Sequence, residues 1–193
     1  AVAGAVNIVT KPFSNSLVGQ FSMGADTLNG RHLDGFVSGA VGDHHFVLYG
    51  SSDKSVGYQA FRTSDYQPSA TDRDRGYDVT TLGGKYAFDF SRSIRWDISY
   101  QHTDGALDDA LPYRVARKVN SRKEDLATTK LDVDVSDVVA LYTKAYYHLW
   151  TTHYDTFYND LANPGTVYAL YEDAFWGYRD YGINALAKLS LNK

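Results

Sequence analysis

Cysteine is absent from the 193 residues. Disulfide frameworks, thiolate metal sites and cysteine nucleophiles are therefore all excluded. No run of 18 apolar residues occurs, so no transmembrane helix is expected. The first residues show no basic region ahead of a long apolar core, so an export signal would lie upstream of Ala1. Neither absence excludes a membrane β-barrel, whose strands alternate lipid-facing and lumen-facing residues and so average out as polar. A net charge of −4 gives no general attraction to nucleic acid, and none is expected as a partner. There is no HExxH, no P-loop and no GxSxG, so no enzyme, cofactor or metal site is read here.

What the chain does have is aromatic side chains and period two. Tyr and Gly number 16 each, and aromatics make up 15% of the residues. That balance leans towards β structure. In IRWDISY, Ile94, Trp96, Ile98 and Tyr100 share one face, and Arg95, Asp97 and Ser99 the other. In LGGKYAFDF just before it, Leu82, Tyr86, Phe88 and Phe90 oppose Lys85 and Asp89. Three residues, Ser91-Arg92-Ser93, join the two runs as a hairpin. Leu131, Val133 and Val135 alternate with Lys130, Asp132 and Asp134 in the same way. About eight antiparallel strands are expected after residue 16. Gly83-Gly84 reads as a strand bend rather than a phosphate loop.

The connections alternate in length. Gly42-Asp43, residues 91–93 and Ser136-Asp137 are short, whereas 59–77, 105–124 and 155–181 read as long polar loops. A meander then collects the tight turns at one rim and the long loops at the other, as in outer-membrane barrels. Phe88, Phe90 and Tyr100 sit where an interfacial girdle belongs, though cross-strand packing would place them there too.

The opening stretch AVAGAVNIVTKPF adds a resemblance. Gly4-Ala5-Val6-Asn7-Ile8-Val9-Thr10-Lys11 resembles the end of the plug domain of TonB-dependent outer-membrane receptors. The resemblance implies that residues 1–12 close a plug and that 13–193 form the N-terminal part of a barrel of about 22 strands. The chain would then be an internal fragment. It implies outer-membrane lipid as surroundings, a scarce nutrient such as a ferric siderophore or other iron chelate as cargo, and energy from TonB through a segment outside this chain. The location implied is the outer membrane of a Gram-negative bacterium. A small closed barrel with a structural, adhesive or porin-like role is the alternative.

Candidate ligand contacts are loop cations with aromatic companions, which suit anionic chelates. They are Tyr66, Arg73, Arg75, Tyr113, Arg114, Arg117, Tyr158, Trp176 and Tyr178, with Lys118, Arg122 and Lys123 in the same charged run. Candidates for facing a plug, by parity, are Lys85, Arg95, Asp97, Lys130, Asp132 and Asp134. Solvated loops account for many of the same charges. His44-His45 and the pair His148 and His153 fall on opposite faces of their strands, which makes each pair poor co-ligands. Asp104, Asp108 and Asp109 lack the spacing of a calcium loop.

Overall fold

A computed structural model describes residues 12–70, 73–109 and 113–190. Of the expected plug end, residues 1–12, all but Pro12 lie outside the described residues. Eight strands follow in chain order: β1 (Val18–Ala25), β2 (Arg31–Val41), β3 (His44–Gln59), β4 (Asp74–Ser91), β5 (Ile94–Asp108), β6 (Val115–Ser136), β7 (Val139–Asn159) and β8 (Val167–Leu189). They form one antiparallel sheet in which spatial order equals sequence order. Among the described residues, β1 and β8 are its two edges.

Two-residue turns, Gly42-Asp43, Arg92-Ser93 and Asp137-Val138, all lie at one rim, called here the turn rim. The other connections, between β1 and β2, β3 and β4, β5 and β6, and β7 and β8, start and end at the far rim. The expected segregation of short and longer connections is therefore present. The expected loop lengths are not. Most of 105–124 and 155–181 is strand, and β4 already begins at Asp74. β6 and β7 pair without a register shift from Arg117↔Phe157 to Asp134↔Ala140. The physical reason is that these extensions mix polar and aromatic residues on both faces. They lose hydrophobic alternation while the backbone ladder, which needs no particular side chain, continues. Gly83 and Gly84 do not interrupt β4, whose register runs straight through them. The Tyr49 ring instead occupies the space beside Gly83 where a Cβ would stand.

The register sorts side chains onto two unlike faces. One cross-strand row reads Val37, Leu48, Gly84, Tyr100, Ala127, Tyr147 and Tyr181. The next row, on the other face, reads Ser38, Val47, Lys85, Ser99, Thr128, Tyr146 and Gly182. The apolar face is the exposed one: Leu82 is 61% exposed, Ile183 72% and Leu189 67%. Ser38, Val47, Ser55, Ala87, Thr152 and Thr156 are buried, and all six lie on the polar face. The sheet therefore curls around its polar side, with small residues filling the concavity.

The apolar face forms a bounded band. On β7 it covers residues 139–149 and on β8 residues 181–189. Near the turn rim Tyr86 meets Trp96, and Phe88 meets both His44 and Phe90. Tyr100, Tyr147 and Tyr181 share the row at its far limit. Beyond them, the same face turns charged with Arg31, Lys54, Asp78, Asp104, Lys123, Asp125 and Arg179.

Candidate functional site

Near the turn rim the polar face carries a charged floor. The register brings Lys85, Arg95, Asp97, Lys130, Asp132 and Asp134 to this one face. Arg95 bridges Asp89 at 3.3 Å and Asp97 at 3.4 Å, and His45 meets Asp89 at 2.8 Å. Lys130 reaches Asp132 at 2.5 Å and also faces the Tyr142 ring. The chain ahead of β1 crosses this floor. Arg95 stacks 5.1 Å over the Phe13 ring, Phe13 meets His45 edge-on, and the Ser14 N–H donates to Ser38 Oγ at 3.0 Å. Two buried atoms, His45 Nδ1 and Asp132 Oδ1, find no hydrogen-bond partner among the described residues.

A second cluster lies near the far rim, where β6, β7 and β8 outrun the apolar band. Their polar-face residues there form a wall of three columns. Trp150, Tyr154 and Tyr158 on β7 make the middle column, spaced by four residues, or about 13 Å of strand. On the β6 side, Arg122 lies 4.9 Å from the Trp150 centroid and Lys118 5.2 Å from Tyr154. Arg114, just before β6, lies 6.0 Å from Tyr158. On the β8 side, Tyr178 stands perpendicular to Trp150 at 5.2 Å, and Trp176 tilts against Tyr154 at 5.6 Å. The Tyr158 hydroxyl donates to Glu172 at 2.5 Å, which raises the tyrosine pKa. Buried Thr152 and Thr156 fill the gaps between the β7 rings, and Thr152 Oγ1 donates to Asn120 Oδ1.

Most of this positive charge is already matched. Arg122 bridges Glu124 at 3.3 Å, and Lys118 bridges Asp109 at 3.4 Å. His148 shares Glu124 and packs edge-on against Tyr178. Lys118, Tyr154, Thr156, Glu172, Ala174, Phe175 and Trp176 line a notch of about 510 Å³. It exists because Ala174 stands opposite Tyr154 in the register.

The described residues of the β3–β4 connection, 60–70 and Arg73, form a strap beside this wall. Tyr66, only 7% exposed, donates its hydroxyl to the Arg73 carbonyl at 3.0 Å and lies under the Arg73 guanidinium. Phe61 meets Tyr66 edge-on and lies under the guanidinium of Arg75, which stands on β4. Ser69 Oγ donates to Asn159 Oδ1 at 2.8 Å, with both residues buried. The strap thus reaches from the β3–β4 connection to the end of β7.

Of the residues expected in ligand loops, Arg75, Arg117, Tyr158, Trp176 and Tyr178 stand on strands instead, for the reason given above. Arg114, Tyr158, Trp176 and Tyr178 are brought together in the wall. Tyr66, Arg73 and Arg75 are committed to the strap. Tyr113 is exposed in the β5–β6 connection, and Arg117 stands opposite Phe157 on the face away from the wall. Trp150 and Tyr154 were not among the candidates. Their signal was the four-residue spacing in WTTHYDTFY, which keeps three rings on one face of a strand. His44 and His45 do separate, to Tyr86 and Asp89, and His148 and His153 to Glu124 and Asp173. Asp104 and Asp109 each pair with a lysine.

No family model matches the chain, and neither a curated protein nor a solved structure matches it.

Proposed function

We propose that this chain is part of the wall of an outer-membrane β-barrel receptor of the TonB-dependent kind, taking up a scarce nutrient. The observation that carries the reading is the inverted sheet. Its exposed face is an apolar band, its buried face is polar, and every two-residue turn lies at one rim. A water-exposed apolar face of this extent needs a cover. The band's 139–149 and 181–189 segments match the roughly 9–11 tilted residues that cross a bilayer. Tyr100, Tyr147 and Tyr181 sit where an interfacial aromatic girdle would lie.

The polar floor then faces the barrel interior, and the segment Phe13-Ser14 enters across it. This supports a plug attached ahead of β1 and seated on Arg95, His45 and their neighbours. The far rim faces the medium. Iron chelates, energised inward through TonB, are the cargo that the opening resemblance favours. The small closed barrel is less well supported: β1 has 8 residues and β8 has 23, so most of β8 would remain unpaired against β1.

The lack of cysteine makes the test direct. Single cysteines at Ser64, Ile98 and Asp137 in the full-length protein are exposed to a membrane-impermeant maleimide on intact cells. Ser64→Cys should label at once, Asp137→Cys only after the outer membrane is opened, and Ile98→Cys only in detergent. Labelling of all three alike on intact cells, or recovery of the protein in the soluble fraction, would refute the barrel reading. Growth on ferric chelates under iron limitation tests the cargo separately.

A further inference from the structure

From the notch between Tyr154 and Trp176 we infer a subsite for a neutral, hydroxyl-rich ring, that is, a sugar unit of a glycan. The inference rests on the reading that the far rim faces the medium. It goes beyond that reading in naming what the rim recognises.

Trp176 is 60% exposed on β8, an edge of the described sheet where Tyr178 and Leu186 on the same face are exposed too, and its ring tilts 37° against Tyr154 to make a two-ring platform. Ala174 leaves the space beside that platform open, and Thr156 supplies a hydroxyl at its base. Lys118 stands on the β6 side as donor and Glu172 on β8 as acceptor. A pyranose matches this set: its C–H face lies on the electron-rich face of an aromatic ring, and its rim hydroxyls need both donors and acceptors. The notch volume is within the roughly 300–1,000 Å³ of small-molecule sites.

Charge decides against an anionic chelate at this position. Such a ligand calls for a surplus of cations. Here Lys118 is matched by Asp109 and Arg122 by Glu124, and Glu172 adds a carboxylate to the notch itself. An anion entering would meet a carboxylate with no unmatched lysine beside it.

The test uses the full-length protein in a detergent without a sugar headgroup. Tryptophan fluorescence and calorimetric titration are followed against a panel of neutral gluco-, galacto-, manno- and N-acetylglucosamine oligosaccharides, purified lipopolysaccharide core oligosaccharide, and a ferric tris-catecholate. Binding of at least one saccharide is expected. Trp176→Ala should weaken it roughly tenfold or more, as loss of a stacking ring and its buried area implies, with Trp176→Phe restoring part. Trp96→Phe, on the apolar face, should leave it unchanged. Binding of free panel glycans assigns a free saccharide, whereas binding of the core oligosaccharide alone assigns the cell's own surface; either upholds the subsite. No saccharide binding at all, or saccharide binding indifferent to Trp176→Ala, overturns it. So does a ferric tris-catecholate that alone binds through Trp176. The maleimide pattern reports on the barrel reading independently of all these outcomes.

Discussion

His32 shows how a single side chain ties a turn to a sheet. Its Nδ1 meets Asp53 at 2.8 Å and its Nε2 meets Asp26 at 3.3 Å, at the far rim, beyond the apolar band. Asp26 in turn accepts the N–H groups of Leu28 and Gly30. The hydrogen bond to Asp53, and then that to Asp26, raises the His32 pKa above 6.5. The N–H groups of Gly30 and Leu28 lower that of Asp26 below 3.8. A raised histidine pKa stabilises the fold fully below its ordinary value and loses that effect as pH climbs through the raised one. A lowered carboxylate pKa acts in the opposite sense, being lost as pH falls through it. In melting curves taken upward from pH 6.5, the wild type should therefore lose stability that His32→Asn does not. Equal slopes for the two proteins would remove His32 as the source. The His32–Asp53 pair was not legible in the sequence, because the two are 21 residues apart and only the β2–β3 register brings them together.

At the scale of elements, glycines and one buried hydrogen bond set the far rim. Gly57 lies at the bulge between Ser55 and Tyr58 with φ +79°, and a Cβ there would run into the Arg75 carbonyl. Gly57→Ala should cost about 1–3 kcal/mol or more, read as a lowered denaturant midpoint, since left-handed backbone alone costs that much. Asn163-Pro164-Gly165-Thr166 closes the β7–β8 connection. Thr166 N–H bonds the Asn163 carbonyl, and Gly165 has φ +96°, as a type II turn requires. That turn is readable from Pro-Gly alone. The strap is not, because Ser69 and Asn159 are 90 residues apart. Ser69→Ala removes the hydrogen bond that Ser69 donates to the buried Asn159 amide, so a loss of about 0.5–1.5 kcal/mol is expected. Limited proteolysis should then cut faster within residues 60–73; an unchanged cutting rate would show that the bond does not hold the strap.

For the whole molecule, the two faces make opposite predictions for the same substitution. Ile98→Arg puts a charge in the middle of the apolar band, and assembly into vesicles should lose roughly 2–4 kcal/mol if that band meets lipid. Ser99→Arg, one residue on, points to the polar face and should cost far less. Refolding in urea with lipid vesicles, read by heat-modifiable mobility, separates the two. Similar losses for both would mean that the apolar band does not face hydrocarbon. Charge reversal at Arg95, which bridges Asp89 and Asp97 and stacks on Phe13, should weaken retention of whatever precedes β1. Unchanged retention would count against a plug seated there.

The period-two pattern of Ile94 to Tyr100 and Leu131 to Val135 determined by itself that the chain is all-β, which residues share a face and where the tight turns fall. Those are local matters of alternation and turn chemistry. Tertiary structure alone decided how far each strand runs, because a ladder of backbone hydrogen bonds continues through side chains of any polarity. It also decided that Trp150 meets Tyr178 and Tyr154 meets Trp176, that Arg117 turns away from them, and that Lys118 and Arg122 arrive already paired. Those outcomes depend on the register between strands tens of residues apart, and a shift of one residue would send every one of these side chains to the other face.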